Sequence, residues 1–154
     1  MTLMLSIPTL PQNRRIPERF SRDGENISPP LEWRGAPEGT RGYALIVEDP
    51  DAPKGTFRHW AAYNIPAGAQ GLPEGAGSDE ADATLRMALN DFGNRRYDGP
   101  QPPPGHGRHH YHFRLFALDT PQLPVPTNGA AQDVLKVARD HALAEADLVG
   151  TFER

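Results

Sequence analysis

Apolar residues along this chain fall mostly into short runs with a period of two, and one segment near the C-terminus switches to a helical period. Tyr43 to Val47 (YALIV) and Ala61 to Ile65 (AAYNI) are short, apolar and rich in side chains that suit a pleated, packed surface, so they predict two buried strands. Tyr43, Leu45, Val47 and Asp49 would share one face of the first, and His59, Ala61, Tyr63 and Ile65 one face of the second. That places Asp49 and His59 together at the rim of one apolar side. Leu31 and Trp33 alternate with Glu32 and Arg34 in a short half-exposed strand, and Leu85, Met87 and Leu89 alternate with Arg86, Ala88 and Asn90 in another. The longest alternating run, HHYHFRLFALD from His109, puts His109, Tyr111, Phe113, Leu115 and Ala117 on one face, and His110, His112, Arg114 and Phe116 on the other. The N-terminal MTLMLSIPTLPQNRR reads as a first strand and the terminal ADLVGTFER as a last short one. Between them Val134, Leu135, Ala138 and Ala142 recur at helical spacing. They predict one amphipathic helix from about Gly129 or Ala130 to about Leu143, with Thr127 or Asn128 as N-cap.

The segments between these runs change the picture from a plain β protein to one with elaborate loops. The chain carries 17 prolines and 15 glycines in 154 residues, well above ordinary usage, and they punctuate residues 11–42, 66–83 and 90–109. A long irregular run such as NDFGNRRYDGPQPPPGHGRH, inside a chain whose length suits a single domain over residues 1–154, is usually functional. The stretch DPDAPKGTFRHW, from Asp49 to Trp60, is the other candidate. Pro50 and Pro53 restrict Asp49 and Ala52 before them to extended or turn geometry, so the carboxylates of Asp49 and Asp51 are held in place.

Charge and composition mainly exclude. A net charge of -4 with no basic block argues against a nucleic-acid surface, and zero cysteines exclude disulfides and cysteine metal sites. The sequence shows no leader pattern and no apolar run long enough to cross a bilayer, so the expectation is a cytoplasmic protein without an integral membrane segment. His106, His109, His110 and His112 crowd one segment and raise the question of a metal. Neighbouring histidines on a strand point to opposite faces, however, and HExxH spacing is absent, so no metal is expected. Ser6, Ser21, Ser28 and Ser78 sit in no nucleophile elbow, so no catalytic residue and no cofactor are assigned.

DPDAP followed by His59, and GPQPPPGHGRHHY from Gly99 to Tyr111, resemble the two signature regions of the phosphatidylethanolamine-binding protein family, which includes Raf kinase inhibitor-like members. The segments from Asp23 to Pro53, LNDFG from Leu89 to Gly93 and the ending LVGTFER resemble its short bacterial branch, so the resemblance covers nearly the whole chain. It implies a mostly β fold: a two-sheet β-sandwich, largely antiparallel with Greek-key connections, one C-terminal helix, and a small cavity for phosphate-like anions. It also implies ligand-binding roles for Asp49, His59, Pro103, His109 and Tyr111, with Asp51, Pro102 and Gly105 in support. His110 replaces the family's arginine and Asp98 one of its glycines. The first change should affect sheet packing, and the second should make the pocket mouth less welcoming to anions.

The residue chemistry agrees with that implication, since two histidines and a tyrosine can donate hydrogen bonds while prolines supply rigid walls without donors. The expected function is binding of a small phosphate-like anion or phospholipid head group without turnover. One alternative is a protein-interaction inhibitor of a kinase or protease. Another is a weak phosphoryl- or acyl-transfer enzyme in which Asp49 orients His59 as base. Two further expectations follow: Asp49 should raise the pKa of His59, and a homodimer, implied by the resemblance, should hide Trp33, Phe92 and Tyr97.

Overall fold

Residues 2–8, 10–78 and 85–154 are described by a computed structural model. Their elements are β1 (Met4–Ser6), β2 (Leu31–Arg34), β3 (Gly42–Asp49), β4 (Phe57–Pro66), β5 (Gly71–Leu72), β6 (Arg86–Met87), β7 (His109–Leu118), α1 (Ala131–His141) and β8 (Ala142–Phe152), with a 3-10 turn at Glu18–Phe20. The strands form two antiparallel sheets, one in the order β1-β2-β5 and one in the order β6-β4-β3-β7-β8. β7 returns to lie beside β3 instead of continuing beyond β6, which is the Greek-key step expected of a sandwich.

The period-two faces explain how the layers meet. Leu5 on β1 and Leu31 and Trp33 on β2 face Tyr43, Leu45 and Val47 on β3, and Tyr111, Phe113 and Leu115 on β7, in the main core. On the reverse of the large sheet, Ala44, Ile46, Phe116 and Leu118 pack against Val134, Leu135 and Ala138 of α1. β3 is therefore buried along its whole length, which is why YALIV reads as an unbroken apolar run. No helix among the described residues is long and apolar enough to cross a membrane.

Several boundaries differ from the sequence reading. α1 begins at Ala131 and its N-cap is Ala130, not Thr127 or Asn128; an alanine has no capping side chain, and the Asp133 carboxylate instead accepts the Ala130 N–H at 2.8 Å. The helix stops at His141, and the final strand starts at Ala142, earlier than the ending ADLVGTFER suggests, because Ala142 to Ala146 pair with β7. The alternation from Leu85 to Leu89 yields only the two paired residues of β6, and Gly71–Leu72 makes a short strand inside a stretch read as loop. Residues 73–78 of that stretch are turn and loop as read, and residues 79–83 lie outside the described residues.

β4 carries the departure that matters for the site. Val47 pairs with Trp60 and Glu48 with Arg58, so one extra residue, His59, is accommodated in β4; a second shift brackets Asn64, whose φ is 56°. The bulge breaks simple alternation. Ala61 goes to the helix side of the sheet, and Trp60 and Ala62 to the inter-sheet core, so His59 and Ala61 do not share a face as the period-two reading required.

Candidate ligand-binding site

The C-terminal end of β3, the start of β4, the start of β7 and the loops 50–53 and 92–103 converge on a cavity of about 190 Å3. It is lined by Asp49, Ala52, Pro53, Phe57, His59, Phe92, Gln101, Pro102, Pro103, His109 and Tyr111. The five residues expected to bind ligand are all among them, and so is the supporting Pro102. Asp51 and Gly105 are not. Asp51 braces the loop from outside the cavity, accepting both the His110 backbone N–H and the ring Nδ1 at 2.8 Å, while its own N–H donates to Asp49 Oδ1 at 2.8 Å. Gly105 adopts a positive φ of 75° and donates its N–H to the Arg154 carbonyl.

Pairing inside the cavity differs from the expected one. Asp49 Oδ2 accepts from His109 Nδ1 at 2.6 Å, and both groups are nearly sealed from solvent, at 3% and 1% exposure. His59 instead donates Nδ1–H to the backbone carbonyl of Asp98 at 2.8 Å, so Asp49 does not orient it. Burial lowers the His59 pKa from its ordinary value of 6.5, and the opposing pull of the Asp98 carbonyl and of the Asp49 charge does not reverse this. The expectation of a raised pKa is thus overturned by desolvation. At neutral pH His59 is uncharged and its remaining nitrogen, Nε2, is an acceptor without a partner among the described residues. Burial and then the charge of Asp49 raise the pKa of Tyr111, which keeps its phenol protonated.

Asp98 does not lie at the mouth. It has no exposed surface, and its carboxylate accepts from Asn26 at 2.9 Å, Asn90 at 2.8 Å, Asn94 at 2.9 Å and Arg96 Nε at 3.2 Å. Burial works to raise its pKa, but the bonds from Asn94, Asn26 and Asn90 and the charge of Arg96 prevail and lower it. The acid that replaces a family glycine is therefore a buried hub that anchors the loop whose carbonyl holds His59. Gly99, next in the chain, is required to be bare, because a Cβ there would collide with the Phe20 carbonyl.

The histidine run separates as the strand period predicts. His110 and His112 lie on the outer face and find carboxylates distant in sequence, Asp51 and Asp147, the latter at 3.0 Å. Among the described residues no group of three or more His, Cys, Asp and Glu converges to hold a metal ion. Sequence reasoning did not find Phe57, Phe92 and Gln101 as lining residues. The aromatic pair packs edge to face at 4.7 Å, with Phe92 5.5 Å from the His59 ring and the Arg22 guanidinium over the Phe92 ring at 4.1 Å. LNDFG carried that signal without a partner strand to place it. Larger depressions of about 480 and 560 Å3 flank β1, but no buried titratable side chain lines them, so size does not mark the site.

The phosphatidylethanolamine-binding protein family model matches residues 6–153. A UPF0098 protein of Methanothermobacter thermautotrophicus is 44% identical over 142 residues, covering 91% of each chain. The UPF0098 protein YbcL of Escherichia coli is 38% identical over 138 residues, covering 87% of this chain and 75% of its own. The crystal structure of YbcL, described as a new member of the mammalian family, superposes with a TM-score of 0.94 at 31% identity over 100% of this chain and 99% of that one. A Chlamydia trachomatis homolog gives 0.86 at 32% identity, covering 99% of this chain and 98% of the other. With the whole sandwich and both signature loops inside these matches, the chain belongs to the phosphatidylethanolamine-binding protein family.

Proposed function

We propose that this protein is a cytoplasmic binding module that holds a small phosphate-like anion or a phosphate-bearing head group, without turnover, in the cavity between Asp49, His59, Pro103, His109 and Tyr111. The observation that carries the reading is one unpartnered ring nitrogen, His59 Nε2, inside a cavity of head-group size. At about 190 Å3 it is smaller than the roughly 300–1,000 Å3 usual for drug-sized ligands. Pro53, Pro102, Pro103, Phe57 and Phe92 give it an apolar wall, in which a charge-assisted hydrogen bond is stronger than in water. Since His59 is neutral at pH 7, the ligand must bring the hydrogen, as a monoprotonated phosphate does, or His59 must take up a proton on binding. Either route tightens binding as pH falls.

Phosphoethanolamine is the probe. Calorimetric titration should show affinity rising from pH 8.5 to 5.5, with net proton uptake when buffers of different ionisation enthalpy are compared. His59→Ala should weaken binding about ten- to a hundred-fold, the loss of a charge-assisted bond of about 1.5–3 kcal/mol. Equal affinity in both proteins, or affinity rising with pH, would sink the proposal. Transfer chemistry with His59 as a base oriented by Asp49 has less support, because Asp49 is bonded to His109. A protein-interaction inhibitor role has no feature of this cavity in its favour. Of the three apolar residues expected at a homodimer interface, Phe92 alone keeps partial exposure, and it lines the cavity. Trp33 and Tyr97 are buried within the chain, whereas Met4 and Leu143 are its large exposed apolar side chains among the described residues.

A further inference from the structure

His106 and His109 meet nitrogen to nitrogen. Nδ1 of His106 stands 2.6 Å from Nε2 of His109, with the rings 4.8 Å apart and inclined by 61°. The other nitrogen of His109 is held by Asp49 at 2.6 Å, so the atom His109 could offer to a ligand is already taken. When the His109 ring is neutral with its hydrogen on Nδ1, Nε2 accepts the Nδ1–H of His106. An acceptor–imidazole–imidazole chain thus runs from a sealed carboxylate to an exposed side chain.

The segment that delivers His106 is built to let go. The His106 N–H closes a turn onto the Pro103 carbonyl at 3.1 Å, and Gly105 and Gly107 on either side have φ of 75° and 96°. A Cβ at either glycine would meet no atom within 4 Å, and the tie from Gly105 to the rest of the chain is its N–H bond to the Arg154 carbonyl at 3.1 Å. The His106 ring is exposed and makes its hydrogen bond to His109, so one contact holds the ring where it lies.

We propose that His106 is a built-in cap on His109 Nε2, a self-contact that an anion entering the cavity must displace before it can engage His109. This rests on the anion-binding reading of the cavity. It makes ligand-free protein partly self-occupied, and it makes the 103–108 loop the element that moves on binding. Exchange of one neutral hydrogen bond is worth about three- to tenfold in affinity.

The test uses inorganic phosphate at one pH, with wild type and His106→Ala. Calorimetry should show His106→Ala binding phosphate about three- to tenfold more tightly. Nitrogen-15 spectra of the wild-type imidazoles, which need no variant, should show the His106 ring moving to the signature of a solvated side chain as phosphate is added, while the Asp49-bound nitrogen of His109 holds its position. Equal or weaker binding by His106→Ala, or a His106 signal that ignores phosphate, overturns the cap while the binding reading stands. If phosphate binds neither protein, the binding reading fails and the cap falls with it.

Discussion

Loss of solvent holds the His59 ring below its ordinary pKa of 6.5, and neither the Asp98 carbonyl on Nδ1 nor the charge of Asp49 restores it. The unfolded chain therefore accepts this proton at higher pH than the folded one. The stability His59 contributes is complete above the unfolded pKa of about 6.5 and is lost as pH falls from there toward the folded pKa. Urea midpoints of the wild type should accordingly fall between pH 7 and 5. His59→Asn, which can keep a donor on the Asp98 carbonyl without titrating, should fall less; an identical decline in both would mean that the ring is not the group responsible. Strand period and the family resemblance made His59 a candidate, because both set it beside Asp49. Its partner could not be chosen from sequence. Asp49 and His109 are 60 positions apart, and the backbone carbonyl that holds His59 has no signature in a list of side chains.

At the scale of elements, period-two alternation located β2, β3 and β7, where both neighbours and faces are regular. It misassigned β4, because a bulge re-aims every side chain beyond it and depends on the partner strand's register. The helix shows the same limit in smaller form. Thr127 and Asn128 have the chemistry of N-caps, but the chain enters α1 at Ala130 and the donor there is satisfied from inside the first turn by Asp133. Asp133→Ala should therefore cost about 1 kcal/mol in chemical denaturation, within the usual 0.5–2 kcal/mol for a lost cap. Asn128→Ala, whose side chain only accepts an exposed bond from Arg95 at 3.2 Å, should stay within about 0.5 kcal/mol of wild type. The reverse order of effects would return the cap to Asn128.

For the whole molecule, ion pairs tie the histidine run to carboxylates of the loop after β3 and of β8. His110 and His112 are matched to Asp51 and Asp147, and His109 lies between Asp49 and His106, a set that does not make a metal-holding group of three or more among the described residues. Treatment with EDTA should leave the melting temperature unchanged, and a fall of many degrees that zinc restores would contradict that arrangement. The alternation of apolar residues determined a β protein with one helix, since burial periods are local properties that each run declares for itself, and the resemblance carried by the signature segments added the two-sheet sandwich. The two signature loops determined where its chemistry would gather, because proline and glycine restrict backbone shape wherever they stand. Tertiary structure alone decided the rest: that Asp49 serves His109, that Asp98 is a buried anchor, and that His106 reaches back to His109. Each of these joins groups whose distance is set by register and loop closure, and the desolvation that keeps His59 neutral exists only once the sheets have closed over it.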